Sequence, residues 1–308
     1  MIALLCPFLI LILLIGSAFA LLKRRYIIGI VLIAASLLLN YYAKVFALNF
    51  SGSSCSDDLE VLTFNINGSE IADDRDIENL FNLLVRLNAD VLFLAEDFEP
   101  VGEKLNKLLM NHYPYTTYKQ KTDWKGHYFY SKYPLGMMDH IDIESNRFSY
   151  CFHCNVAYGQ DSVSLFGCHL ASNNYQLQKP SVRPENINGI PSLGKYLNNI
   201  ESATEQRCEE VSGITGHLAF NGCTIVMGDF NDVSGSKPLR MLECAGLKDA
   251  WWKNGFGYGA TIHHPLPFRI DHIMYGRGMK LKSIKKIDSE GLSDHDALMA
   301  SFELSNTK

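Results

Sequence analysis

The hydrophobic pattern divides the chain in two. Residues 2 to 22 are almost wholly apolar, and residues 26 to 48 carry only Lys44 as a charge, with Lys23, Arg24 and Arg25 between the two stretches. Each stretch is long enough to cross a bilayer core as a helix of about 20 residues. Beyond Ser51 the apolar runs shorten and alternate with polar segments. LEVLTFNING (59–68) predicts a strand and DRDIENLFNLLVRLNAD (74–90) a helix, with Ile77, Leu80, Phe81, Leu84 and Leu87 on one face. VLFLAED (91–97) predicts a buried strand, giving a strand–helix–strand opening. Further strands are predicted over 126–135, 149–159, 162–170, 223–230, 268–276 and 297–304, and helices over 204–220 and 236–246. Residues 173 to 193, with three prolines, read as a long loop.

These elements predict an α/β fold of two packed β-sheets flanked by helices, preceded by transmembrane helices. Residues 1–50 are expected to be a membrane anchor with helices at about 2–22 and 26–48. Residues 51–58 read as a short polar linker and 59–308 as one folded domain. A competing reading takes Ala18-Phe19-Ala20 as a signal-cleavage site followed by a single helix. The absence of a basic segment before the first apolar stretch favours two helices. The only basic cluster is the Lys23–Arg25 turn, so the positive-inside rule places it in the cytoplasm. Both chain ends then lie outside, which points to a bacterial-type inner membrane with the large domain on the extracytoplasmic side.

Charge narrows the partners. Four of the 28 Lys and Arg residues and none of the 33 acidic ones fall in the first 50 positions. The remainder therefore carries 24 basic against 33 acidic residues, a net −9. A polyanion is gripped through excess basic charge, so long tracts of nucleic acid are not the default partner. No obligate protein partner is expected. Of the eight cysteines, Cys151 and Cys154 form a lone C-x-x-C, too few for a four-thiolate zinc site. A disulfide involving one of them is left open; a redox or zinc protein built on them is the weaker reading.

The chemistry gathers at strand ends. Asn65, Glu96, His169, and Asp229 with Asn231 all close apolar runs; Asp271 follows Phe268-Arg269-Ile270, and Asp294 and His295 stand in GLSDHDAL. A buried carboxylate has to be paired or metal-bound, so repeated acids at strand ends are informative. Oxygen donors without a cysteine cluster suit Mg²⁺, Mn²⁺ or Ca²⁺. Hydrolysis of an anionic phosphodiester makes matching demands: a cation on the phosphate, a positioned water, and an imidazole with a carboxylate behind it.

TFNI, ADVLFLAE, GHYFYSKYPL, GCHLAS, MGDFNDVSGS, FRIDHIM and SDHDAL, in this order, resemble the motifs of the endonuclease/exonuclease/phosphatase superfamily, the group similar to DNase I, over about residues 58 to 305. The resemblance implies a four-layered α/β sandwich and a divalent-metal-dependent phosphoester hydrolase. It implies Glu96, Asn65 and Asp294 on the metal side and Asp229 with Asn231 around the attacking water. It also implies His295 paired with Asp271, and His169 on the phosphate. Substrates across such proteins include nucleic acid, phospholipid headgroups and small phosphodiesters. An exported or membrane-tethered nuclease is therefore the alternative to a phosphodiesterase, and an inactive phosphate-ester-binding module a more distant one.

Two departures are visible: Ala95 stands where the pattern has glutamine, and Asp232-Val233-Ser234-Gly235 follows GDFN without the usual proline, which predicts a softer loop. His272 is expected to be structural, since it points to the strand face opposite Asp271. His263 and His264 are candidates for substrate contact, and Lys179 and Arg183 read as solvated loop residues. No role is assigned to His112, His127, His140, His153 or His217.

Overall fold

The computed structural model describes residues 2–49, 58–68, 71, 73–118, 126–143, 149–173, 193–218, 222–263 and 266–304. Most of the predicted linker, the greater part of the 173–193 loop with Lys179 and Arg183, and His264 lie outside the described residues.

The chain begins with two apolar helices, α1 (Ile2–Leu22) and α2 (Tyr26–Ala43), packed as a hairpin; both are long and apolar enough to cross a membrane by length and composition. In chain order there follow β1 (Ala47–Leu48), β2 (Leu59–Asn65), α3 (Asp74–Leu87), β3 (Val91–Asp97), α4 (Val101–Leu109), β4 (Tyr115–Thr116), β5 (Gly126–Ser131) and β6 (Asp139–His140). The second half contains β7 (Tyr150–Tyr158), β8 (Asp161–His169), α5 (Leu193–Gly216), β9 (Cys223–Asp229), α6 (Lys237–Cys244), β10 (Lys248–Asp249), α7 (Ala250–Asn254), β11 (Phe256–Gly257), β12 (Asp271–Tyr275), β13 (Met279–Ile287) and β14 (Ala297–Leu304).

Two six-stranded sheets form, in the orders β13-β14-β2-β3-β5-β4 and β10-β12-β9-β8-β7-β6. Each contains one parallel pair joined through a helix, β2 with β3 across α3 and β8 with β9 across α5. The period-two alternation of each strand fills three layers. Val61, Phe93 and Phe129 of the first sheet meet Phe152, Leu165 and Met227 of the second between the sheets. Leu62, Phe64, Leu92 and Leu94 face outward under α3 and α4. Phe166 and Val226 face outward under α5 and α6, against Val211 and Leu239. The predicted two-sheet sandwich is therefore the observed one.

The differences have local causes. The strand predicted over 126–135 ends at Ser131, leaving Leu135 in an isolated bridge to Val156. Helix α5 begins at Leu193, eleven residues before the predicted start, inside the stretch read as loop. Strand β13 was not anticipated because its lysines interrupt the apolar pattern; it is the outer strand of its sheet, where lysines discourage edge-to-edge pairing. Cys151 and Cys154 do not form a pair. Three residues apart on β7, they face opposite sides of the sheet, Cys154 between the sheets and Cys151 under α5. Cys151 instead lies across from Cys168 of β8, with Sγ atoms 3.3 Å apart.

Candidate active site

The parallel pairs bring four strand ends to one edge of the sandwich, and two short turns shape it. Asn65 closes β2 and Asp229 closes β9, and each side-chain Oδ1 accepts the backbone N–H two residues on: Asn67 N at 3.1 Å and Asn231 N at 2.8 Å. These are Asx turns, in which a polar side chain replaces the next ladder hydrogen bond. Ile66 and Phe230 between the turn residues are fully buried and pin each turn to its core. Asn67 and Asn231 take positive φ values, 43° and 50°. Glu96 also has a positive φ, 56°, at a register shift between β3 and β5 that leaves it unpaired on the ladder. Such bulges re-aim a side chain, and left-handed non-glycine backbone concentrates at functional sites.

Asn65 ties the two sheets together. Its Nδ2 donates to Glu96 Oε1 at 3.2 Å and to Asp229 Oδ2 at 3.1 Å. His169 Nε2 lies 3.2 Å from Glu96 Oε1 and 3.7 Å from Asp229 Oδ2. Asn231 Nδ2 donates to Leu170 O at 2.9 Å and stands 3.5 Å from His169 Nε2. On the far side of Asp229, His295 Nε2 is 3.8 Å from its Oδ2, and His295 Nδ1 meets Asp271 Oδ2 at 2.8 Å. Asp294 Oδ1 accepts from Asn67 Nδ2 at 3.0 Å, and Ser293 Oγ donates to Asn65 O at 2.8 Å. All eight residues singled out in the sequence thus lie in one connected cluster.

The charges are set by burial and by one another. Burial raises Glu96, but the hydrogen bond and charge of His169, with the hydrogen bond from Asn65, outweigh it and hold Glu96 at about 2. Burial and the Asp271 carboxylate push Asp229 up to about 6. Burial opposes charge on both histidines. Asp271, aided by Asp229 and Asp294, nevertheless lifts His295 to about 10, and Glu96 and Asp229 raise His169. The Asp271–His295 pair thus favours the imidazolium form of the ring.

Three supports were not foreseen. His127, buried on β5 beside Ala95, stacks on the His169 ring at 5.3 Å; burial and the His169 charge push it well below its ordinary range, so it packs there neutral. Arg207 of α5, buried, donates to Asp232 Oδ2 at 2.9 Å and to Ala171 O at 2.7 Å, while Glu210 Oε2 accepts from Ala171 N at 3.0 Å. Arg269 pairs with Asp249 at 2.9 Å and hydrogen-bonds Ser234 and His272. Two buried arginines thus tie down residues 232–234, which the sequence predicted to be soft. Burial and Arg269 hold His272 at about 4, and its Nε2 lies 2.9 Å from Asp232 O, a structural place as expected. His263 is engaged with Asp296 Oδ2 at 2.8 Å.

The donor set fits a hard divalent cation. Glu96, Asp229, Asp271 and Asp294 bring four carboxylates together, and among the described residues none of them pairs with a lysine or arginine. Asp271 Oδ1 is buried with no hydrogen-bond partner there. Ligand atoms of Asp229, Asp271 and His295 lie within 4.8 Å of one another, but the Asp271–His295 hydrogen bond already occupies two of them. Glu96 keeps 24% of its side chain exposed, so an ion has access to it.

The model of the Endonuclease/Exonuclease/phosphatase family matches residues 62–295. No curated protein matches the chain by sequence. Among solved structures, Danio rerio TDP2 complexed with a single-strand DNA product is similar over 80% of this chain and 100% of its own, at 14% identity and a TM-score of 0.60. An endonuclease/exonuclease/phosphatase from Beutenbergia cavernae is similar over 81% and 72%, at 16% identity and 0.56. Sphingomyelinase C from Streptomyces griseocarneus is similar over 79% and 99%, at 16% identity and 0.52. At such identities the likeness is one of fold.

Proposed function

Because the chain belongs to the endonuclease/exonuclease/phosphatase family of metal-dependent phosphoesterases, we propose that this cleft hydrolyses a phosphodiester by in-line attack of water, with Mg²⁺ or Mn²⁺ as the metal. The observation that carries the reading is the convergence of Glu96, Asn65, Asp229, His169 and the Asp271–His295 pair from both sheets.

Glu96, with Asn65 and Asp294, would hold the ion, which supplies charge neutralisation on the phosphate and the departing alkoxide. Asp229, raised to about 6, is ionised at neutral pH yet basic enough to take a proton from water, which makes it the general base. Asn231 orients that water or a phosphoryl oxygen through Nδ2. His169 and His295, whose charged forms are favoured by the carboxylates beside them, donate to oxygens where negative charge builds up. Asp271 fixes the ring and charge of His295. Residues 1–50 act as the membrane anchor in this reading, and residues 59–308 as the catalytic domain. A tethered nuclease is the second reading, since a structural neighbour holds single-strand DNA; the −9 charge beyond residue 50 favours a smaller phosphodiester.

The test is hydrolysis of bis(p-nitrophenyl) phosphate by the full chain in detergent. Mg²⁺ or Mn²⁺ should support turnover and EDTA abolish it. Glu96→Gln keeps the shape but removes a ligand charge, and should raise the metal concentration needed for half-maximal rate by about tenfold or more. An unchanged metal requirement would remove Glu96 from the metal site.

A further inference from the structure

We propose that the cleft opens onto the membrane surface and that its substrate is a phosphodiester carried by the bilayer, the headgroup linkage of a phospholipid; this rests on the phosphodiesterase reading above. The first support is where the apolar hairpin docks. Gly235, four residues past Asn231, has φ 74° and lies so close to α2 that a Cβ would meet Ala43 O at 2.7 Å. Arg240 clamps this contact, donating to Gly235 O at 2.9 Å and to Tyr42 O at 3.2 Å, and Lys44 pairs with Glu243 of α6. On the other side, Phe8 of α1 meets Phe268 edge-on at 6.3 Å, three residues before Asp271. The hairpin is thus seated on the segment leaving Asp229 and on the segment entering Asp271.

The second support is which ends of the helices are seated. Contacts fall on residues 3–8 of α1 and on residues 42–46 at and just beyond the end of α2, while Lys23–Arg25 form the distant turn. The 21 residues of α1 span about 31 Å at 1.5 Å per residue, the thickness of a hydrocarbon core. Because residues 3–8 of α1 themselves pack against the domain, the hairpin leaves no spacer between the bilayer and the catalytic edge, and the rim of the cleft is held at the depth of the first two turns of α1, at the membrane interface.

A third support is the surface beside that junction. Leu48 and Phe256 face each other across β1 and β11, and they are 69% and 62% exposed. Leu266 is 46% exposed, Ile262 and Phe268 on either side of it are joined by backbone hydrogen bonds, and Ile262 is bridged to His295. Large apolar side chains left in the open beside a membrane hairpin are suited to the interfacial layer. Seating Leu266 in that layer would bring His295, bridged to nearby Ile262, toward the plane of the lipid phosphates. A phospholipid headgroup linkage is itself a phosphodiester, so the site meets its chemistry where the anchor holds it.

The test uses the full chain in nanodiscs of phosphatidylethanolamine, phosphatidylglycerol and sphingomyelin with Mg²⁺. Tryptophan is introduced as Leu266→Trp, Phe256→Trp and Met137→Trp. Met137 is 76% exposed beside Leu135, whose bridge to Val156 lies toward the end of β7 away from His169. Quenching by lipids brominated near the headgroup is read against the parent chain. Added quenching at 266 and 256 but not at 137 supports the orientation; no added quenching at 266, or equal quenching at all three, overturns it without reference to turnover. In the second arm, headgroup release from the discs is compared with hydrolysis of soluble bis(p-nitrophenyl) phosphate and of a single-stranded oligonucleotide. Leu266→Ser with Phe256→Ser should lower headgroup release by about tenfold or more, since two apolar side chains each lose at least part of their transfer energy, with the soluble diester unaffected. Soluble-diester turnover with no headgroup release, or an oligonucleotide cut faster than any lipid, overturns the substrate inference and leaves the phosphodiesterase reading standing. No turnover of any diester by a chain that passes the quenching test overturns the phosphodiesterase reading itself.

Discussion

Asp271 sets the charge of its half of the cleft. Buried and hydrogen-bonded to His295 Nδ1, it is the leading reason that histidine is lifted from 6.5 to about 10. A group whose folded pKa is raised stabilises the fold fully below its unfolded pKa, and that stabilisation is lost as pH rises through the folded value. Metal-free protein in EDTA should therefore lose stability to urea as pH rises from about 6.5 to about 10. Asp271→Asn should be less stable at pH 6.5 and show a shallower decline; a wild-type profile flat over that window would show that the ion pair does not form. Asp229→Asn removes the proposed base and should lower kcat by about 10²–10⁴, measured on the soluble diester. At this scale the residues visible in the sequence were those that interrupt an apolar run, such as Glu96 and Asp229. His127 and Asn67 were not visible, because each matters through a neighbour distant in sequence: His127 through its register with Ala95, and Asn67 through Asp294.

Helix α5 is the element that holds the second sheet's half of the site. Arg207 reaches from it to Asp232 and Ala171, and Glu210 reaches to Ala171, so one helix fixes the turns that follow both His169 and Asn231. Removing one partner of a buried ion pair leaves the other uncompensated, at a cost of about 3–5 kcal/mol. Arg207→Ala should lower the urea midpoint accordingly and reduce turnover; a loss under about 0.5 kcal/mol would mean that the turns hold themselves. Gly167 works in the space between the sheets, where an added Cβ would lie 2.2 Å from the Phe93 ring. Gly167→Val should cost about 1–3 kcal/mol by overpacking, read as a lowered Tm. The legibility of elements followed their surroundings. Strands buried on both faces, such as β3 over 91–97 and β14 over 297–304, matched their predicted bounds. The amphipathic face of α3 stood out too, with Ile77, Leu80 and Leu84 buried as predicted. Helix α4 and strand β13 mix apolar and charged residues over short spans, and their identity comes from what they pack against. The start of α5 fell in a stretch where prolines and asparagines promised only loop.

At the scale of the whole molecule, charge and apolar surface are segregated along one axis. Lys23, Arg24 and Arg25 sit at the turn between α1 and α2, and the acidic domain sits at the opposite end of the hairpin. Basic residues in short loops are retained on the cytoplasmic side, so the domain should lie on the other face. Cys244 provides a reporter. It is the one exposed thiol among the described cysteines, at the end of α6 beside the docked helices, whereas Cys151, Cys154, Cys168, Cys208 and Cys223 are buried. A membrane-impermeant maleimide added to cells with a permeabilised outer layer should label the chain, and the label attributable to Cys244 should vanish in Cys244→Ser. The same signal should fall in a chain carrying Lys23→Glu, Arg24→Glu and Arg25→Glu, because the turn would lose the charge that retains it. Labelling of Cys244 only after the inner membrane is lysed would place the catalytic domain in the cytoplasm. The docking of the hairpin on the rim of the cleft would survive that result, because it depends on Gly235, Arg240 and Phe268 and not on which face of the bilayer they occupy. The leaflet proposed to supply the substrate would change, and the role proposed for Asp229 would not.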